Sequence, residues 1–144
     1  MKRKTAVIVS GYFNCLHRGH LELMRKAKEH GDELWVIVNN DLQRELKGSK
    51  EFMDQDERLE IIKALGIVDY AIIAMDKNRT VIESIRYMNV VAIANDPKYK
   101  LIFANGGDQD NETIPESFIC KQLGISMLDG LGDKIQSSSW LLKK

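Results

Sequence analysis

Five short apolar runs divide this chain, and the segments between them have the spacing of helices. The runs are Ala6–Val9, Leu34–Val38, Tyr70–Ala74, Leu101–Ala104 and Ile125–Leu128. They do not alternate apolar with polar residues. A strand that is apolar on both faces must be covered on both faces, which is the situation of a parallel sheet. Four helical patterns lie between or beside them. The first covers about His20 to His30, with Leu21, Met24 and Ala27 on one side and Gly31 at its end. The second starts at Asp54, where Glu57 three residues on suggests a capping box, and runs to Gly66. The third starts near Thr80 and carries Val81, Ile82, Ile85 and Met88. The fourth follows Thr113, has Pro115 in its first turn and ends at Gly124. A short fifth helix is expected from Ser137 to Lys144. Asn89–Ala94 either extends the third helix or forms a separate strand before the turn Asn95-Asp96-Pro97.

Strands alternating with helices imply right-handed crossovers. The expected fold is α/β: a Rossmann-like, doubly wound, parallel five-stranded sheet with helices on both faces. At 144 residues the chain is read as one domain, 1–144. In such a sheet, ligands bind beyond the carboxyl ends of the strands, where the strand order reverses. Two loops would flank that crevice: Ser10–His20 after the first strand, and Asn105-Gly106-Gly107-Asp108 after the fourth.

The first loop reads Ser10-Gly11-Tyr12-Phe13-Asn14-Cys15-Leu16-His17-Arg18-Gly19-His20. A helix N-terminus presents unpaired N–H groups and the positive end of a dipole. Histidines three apart on the first turn point to one side. Gly11 and Gly19 allow close approach of the backbone. Three readings follow: surface histidines, a zinc site, or a phosphate site. His-x-x-His supplies two zinc ligands, and no cysteine pair or H-E-x-x-H pattern supplies others. In the phosphate reading, imidazole N–H groups stabilise charge that moves onto the bridging oxygen as pyrophosphate leaves. The Asn105 loop allows a hairpin reading, but Gln109–Glu112 does not alternate as a strand. A calcium loop from Asp108 would need Gly where Thr113 stands and Glu where Ile119 stands. What is left is a glycine-lined wall on a nucleotide.

Gly11, Phe13, His17, Gly19 and His20 resemble, in register, the G-[TS]-F-D-x-x-H-x-G-H pattern of the HxGH nucleotidyltransferases. Tyr12 stands where Ser or Thr is common, and Asn14 replaces the usual Asp. Over its whole length the chain is similar to the cytidylyltransferase-like branch, which includes glycerol-3-phosphate cytidylyltransferase and the nucleotidylyl-transfer domain of ADP-heptose synthase. The resemblance implies that His17, His20 and Lys47 are catalytic, with Lys50 the alternative to Lys47. It implies nucleotide binding by Ser10, Gly11, Tyr12, Phe13, Gly19, Gly106, Gly107, Asp108, Ser137, Ser138 and Ser139. Asn14, Arg58 and Lys134 would meet the second substrate. Mg2+ would be carried by the phosphates, with no protein metal site.

The implied reaction moves a nucleoside monophosphate, CMP or else AMP, from an NTP to a small phosphate monoester and releases pyrophosphate. The alternatives are an adenylyltransferase of coenzyme biosynthesis that makes FAD, and a non-catalytic nucleotide-binding domain. Relatives are often dimers, so a homodimer is expected. The 21 Lys and Arg balance 21 Asp and Glu, which argues against a nucleic-acid or membrane-surface partner. Two cysteines, Cys15 and Cys120, make no disulfide framework, and with no apolar leader a cytoplasmic location is expected.

Overall fold

The structure is a computed structural model that describes residues 4–48, 50–106 and 115–131. In chain order the elements are β1 (Thr5–Gly11), α1 (Arg18–Lys28), β2 (Glu33–Val38), α2 (Asp41–Lys47), α3 (Gln55–Ala64), β3 (Tyr70–Ile73), α4 (Ile82–Asn95), β4 (Lys100–Gly106), α5 (Ser117–Leu123) and β5 (Ser126–Leu131). The five strands form one sheet in the order β3-β2-β1-β4-β5. Every neighbouring pair is parallel. The order reverses between β1 and β4, so the expected switch point falls beside the loop that carries His17 and His20.

Two cores explain why the strands are apolar throughout. On one face Ala6 and Ile8 of β1, with Trp35 and Ile37 of β2, meet Ile85, Met88 and Ala92 of α4 and Ile119 and Cys120 of α5. On the other, Val7 and Val9 with Leu34, Val36 and Val38 meet Met24 and Ala27 of α1 and Ile62 of α3. Successive residues of one strand therefore enter opposite cores, as a period of two requires. Helices cover both faces, as expected. A buried Leu, Ile or Val side chain contributes about 1.5–3 kcal/mol relative to exposure.

The structure settles some boundaries of the sequence reading and shifts others. Asn89–Ala94 extends α4, which ends at Asn95. Asp54 caps α3, its Oδ1 accepting the Glu57 N–H at 2.8 Å. The fourth predicted helix begins at Ser117, two residues after Pro115, and stops at Gly124 with φ +72°. Helix α2 has no counterpart among the helical patterns read from the sequence: Lys47 is its last residue and Gly48 its left-handed terminator, φ +84°. Residues 137–144, where a fifth helix was expected, lie outside the described residues. No helix among the described residues is long and apolar enough to cross a membrane.

Candidate active site

The His17–His20 pair is built by the start of α1. His17 is the N-cap, in extended backbone conformation, and its Nδ1 accepts the Gly19 N–H at 3.0 Å. In return the His17 N–H donates to Nδ1 of His20 at 3.1 Å. This is a capping box made of two imidazoles. The rings stack, with centroids 3.9 Å apart and planes 24° from parallel.

The geometry fixes the proton on each ring. A nitrogen that accepts an N–H carries none of its own, so each neutral imidazole is protonated at Nε2. Burial lowers the pKa of His17. His20 is pushed down to about 4, first by burial and then by the neighbouring His17 and Lys47. At neutral pH both rings are uncharged Nε2–H donors. His17 Nε2 is buried and has no hydrogen-bond partner among the described residues. A buried orphan donor at a helix N-terminus is a group awaiting an acceptor.

Phe13 holds the pair from below. It is 3 % exposed, sits at φ +52°, and meets His20 edge-to-face at 5.1 Å between centroids. The absent Cβ of Gly11 makes room for it: a Cβ built there would lie 2.9 Å from Phe13 Cζ. Gly11, read from sequence as space for a ligand, is space for the ring that supports His20.

Lys47 reaches the same place from the end of α2. Its Nζ lies 4.5 Å above the centroid of the Tyr12 ring. It is also near enough to His20 to oppose its protonation. Loops after β1 and β2 thus bring Tyr12, His17, His20 and Lys47 together.

Asn14 and Arg58, expected to meet the second substrate, are buried and bonded to the protein itself. Asn14 is 2 % exposed. Its amide donates to Lys50 O at 2.7 Å, and its oxygen accepts Phe52 N–H at 2.9 Å and Met53 N–H at 3.0 Å. The side chain therefore pins the segment that follows Lys47. Arg58 is 1 % exposed and donates to the carbonyls of Met53, Tyr12 and Asn39 at 3.0, 2.7 and 2.6 Å. It also pairs with Asp41 at 2.7 Å. Four of its five N–H groups are thereby spent on the protein. Arg58 ties together the ends of β1 and β2 and the starts of α2 and α3, and its charge is turned inward.

Gly19 lies in the first turn of α1, Ser10 in β1 facing Ile37 of β2, and Gly106 at the end of β4. Gly107, Asp108, Lys134, Ser137, Ser138 and Ser139 lie outside the described residues.

Two features escaped the sequence reading. One is the box Asn40-Asp41-Leu42-Gln43. Asn40 Oδ1 accepts the Gln43 N–H at 2.8 Å and Gln43 Oε1 accepts the Asn40 N–H at 2.9 Å. An Asn with a Gln three residues on is a capping signal visible in sequence. Gln43, wholly buried, then donates through Nε2 to Asn78 O and Thr80 O, each at 2.8 Å. Asn40 donates to Ala74 O and Asp76 O, both at 2.9 Å. The second feature is the loop so held, which brings the charge of Arg79 near Tyr12. Its place beyond the carboxyl end of β3 is the signal that marks it.

Among the described residues no group of three or more His, Cys, Asp or Glu side chains is placed to hold a metal ion. The histidines do not fit a resident metal, because Nδ1 of each is occupied and Nε2 bears the proton.

Comparison with known proteins places this geometry. A model of the cytidylyltransferase-like family matches residues 8–120. The FAD synthase of Thermococcus sibiricus is 39 % identical over 97 residues, 67 % of this chain and 65 % of that protein, so the alignment spans just under two thirds of that relative. The FAD synthase of Thermoplasma volcanium is 30 % identical over 140 residues, 96 % of this chain and 92 % of that protein. The crystal structure of a lipopolysaccharide core biosynthesis protein from Thermoplasma volcanium superposes with a TM-score of 0.62 at 27 % identity, covering 88 % of this chain and 94 % of that one. The chain belongs to the cytidylyltransferase-like family.

Proposed function

We propose that this enzyme is an adenylyltransferase of coenzyme biosynthesis, moving AMP from ATP to the phosphate of FMN to give FAD and pyrophosphate. The observation that carries the reaction class is the imidazole capping box. Two neutral Nε2–H donors are preorganised at a helix N-terminus by their own backbone. The acceptor is supported by the relatives named FAD synthase, at 39 % and 30 % identity. They favour AMP and FMN over CMP and an unspecified phosphate monoester.

A phosphate oxygen of FMN attacks the α-phosphorus of ATP in line. The new P–O bond forms as the bond to the bridging oxygen breaks, and its electron pair leaves on pyrophosphate. His17 and His20 donate to the oxygens that gain charge, and Lys47 adds a positive charge beside them. The attacking phosphate is already ionised at neutral pH, so no general base is needed. ATP arrives as its magnesium complex, so the ion enters as part of the substrate, held by phosphate oxygens. Ser10, Gly106, Gly107 and Asp108, with Ser137, Ser138 and Ser139, are proposed to line the nucleotide.

Pyrophosphate release, measured with ATP or CTP against FMN and glycerol 3-phosphate, tests the reading. Turnover is expected with ATP and FMN. Turnover with CTP and glycerol 3-phosphate, and none with FMN, would replace it.

A further inference from the structure

Tyr12 is a platform shared by two cations from two different loops. Lys47 stands over its ring, 4.5 Å from the centroid. The charge of Arg79 stands close enough to its hydroxyl to oppose the rise in pKa that burial imposes, and that hydroxyl donates to Gln43 O at 3.5 Å. Arg79 is exposed, yet the backbone on either side of it is fastened. Gln43 Nε2 donates to Asn78 O and Thr80 O, the carbonyls of both its neighbours, at 2.8 Å each. Asn78 Oδ1 closes the turn by accepting the Thr80 N–H at 2.9 Å. An exposed arginine whose two neighbours are held by one buried side chain is a positioned charge.

Its position favours one of the two substrates. The crevice at the switch point lies between β1 and β4, and the nucleotide occupies that side. The ends of β2 and β3 form the opposite flank, where Lys47 and Arg79 stand. In an in-line displacement the attacking phosphate must approach from the side away from the leaving pyrophosphate. An incoming phosphate is repelled by the anionic α-phosphate, and cations on its path offset that repulsion. Arg58, the charge expected for this role, is buried and committed to carbonyls and Asp41.

We propose that Arg79, on the loop that Gln43 holds beside Tyr12, binds the phosphate group of the acceptor substrate. The proposal rests on the transferase reading above. A guanidinium offers a two-pronged donor set matched to a phosphate.

The test compares wild type with Arg79→Ala and Arg79→Lys. Arg79→Ala is expected to raise KM for FMN about tenfold to a hundredfold and to leave KM for ATP unchanged. Riboflavin, which lacks the phosphate, should bind both proteins equally. Arg79→Lys should recover part of the loss. Equal FMN values, an equal loss of riboflavin, or a loss confined to ATP would overturn the assignment. A second readout does not depend on FMN being the acceptor. With a non-hydrolysable ATP analogue bound, inorganic phosphate should shift the Arg79 side-chain N–H resonance in wild type. No shift would defeat the proposal even if FMN is a substrate. A shift without FMN turnover would defeat only the choice of acceptor.

Discussion

The His17 backbone N–H donates to Nδ1 of His20 at 3.1 Å, so the first histidine orients the second. The backbone of the first orients the ring of the second, while Nδ1 of the first is held by Gly19 N–H at 3.0 Å. Many enzymes orient a catalytic imidazole with a carboxylate. Here the helix N-terminus does it, with no carboxylate among the described residues bonded to either ring, so the rings stay neutral donors. Nitrogen-detected NMR should find the proton of both rings on Nε2 at pH 7. A proton on Nδ1 of either ring would mean that the capping bonds are absent in solution.

The same pair makes folding sensitive to acid. The folded pKa of His20 is depressed to about 4 from an ordinary 6.5. Between those values the unfolded chain binds the proton and the folded one does not, so stability falls as pH falls through that window. The loss amounts to up to about 3 kcal/mol by the low end. Urea midpoints at pH 7, 5.5 and 4.5 should decline more steeply for wild type than for His20→Asn. Parallel declines would show that His20 is not the group responsible.

Removing either imidazole should separate chemistry from folding. His17→Ala and His20→Ala each lose a preorganised donor, which typically costs ~10²–10³ in turnover. Rates near wild type in either folded variant would take that residue out of the reaction.

Arg58 shows what a sequence can and cannot disclose. The doubly wound sheet was legible because strands buried on both faces must be apolar throughout, and five runs met that condition. The His17–His20 pair was legible because its partners lie within three residues. Arg58 was visible as an arginine of the right helix, but not its direction. Its acceptors at Tyr12 and Asn39 lie 46 and 19 residues away, and only the folded sheet brings them together. Helix α2 escaped for a different reason. It has seven residues, and Leu42 and Leu46 are 45 % and 50 % exposed, so no apolar stripe announces it. Its cap and Gly48 define it instead.

Arg58→Met should therefore act on stability. It leaves Asp41, whose side chain is 30 % exposed, and three carbonyls without their donor, and each buried acceptor so left costs about 1–3 kcal/mol. Chemical denaturation measures it directly. A variant of full stability with only a raised acceptor KM would return Arg58 to the substrate.

The final prediction concerns Gln43, whose amide joins two loops that never meet in sequence. Its oxygen accepts from Asn39 Nδ2 at 3.1 Å and Asn40 N at 2.9 Å, while its nitrogen donates to Asn78 O and Thr80 O. Gln43→Glu preserves shape and both acceptor contacts. It replaces two donated hydrogen bonds with a carboxylate oxygen facing two carbonyl oxygens in a wholly buried site. An unsatisfied buried group costs about 1–3 kcal/mol, more when charge is involved. The break lies on the side of the loop and leaves the cap of α2 intact. Hydrogen exchange should thus quicken at residues 76–81, where the Glu83 and Ser84 amides held by Asp76 also report on the loop. The amides of α2 itself should keep their protection. Uniform acceleration across both segments would mean that Gln43 supports the fold as a whole and does not single out the loop that carries Arg79.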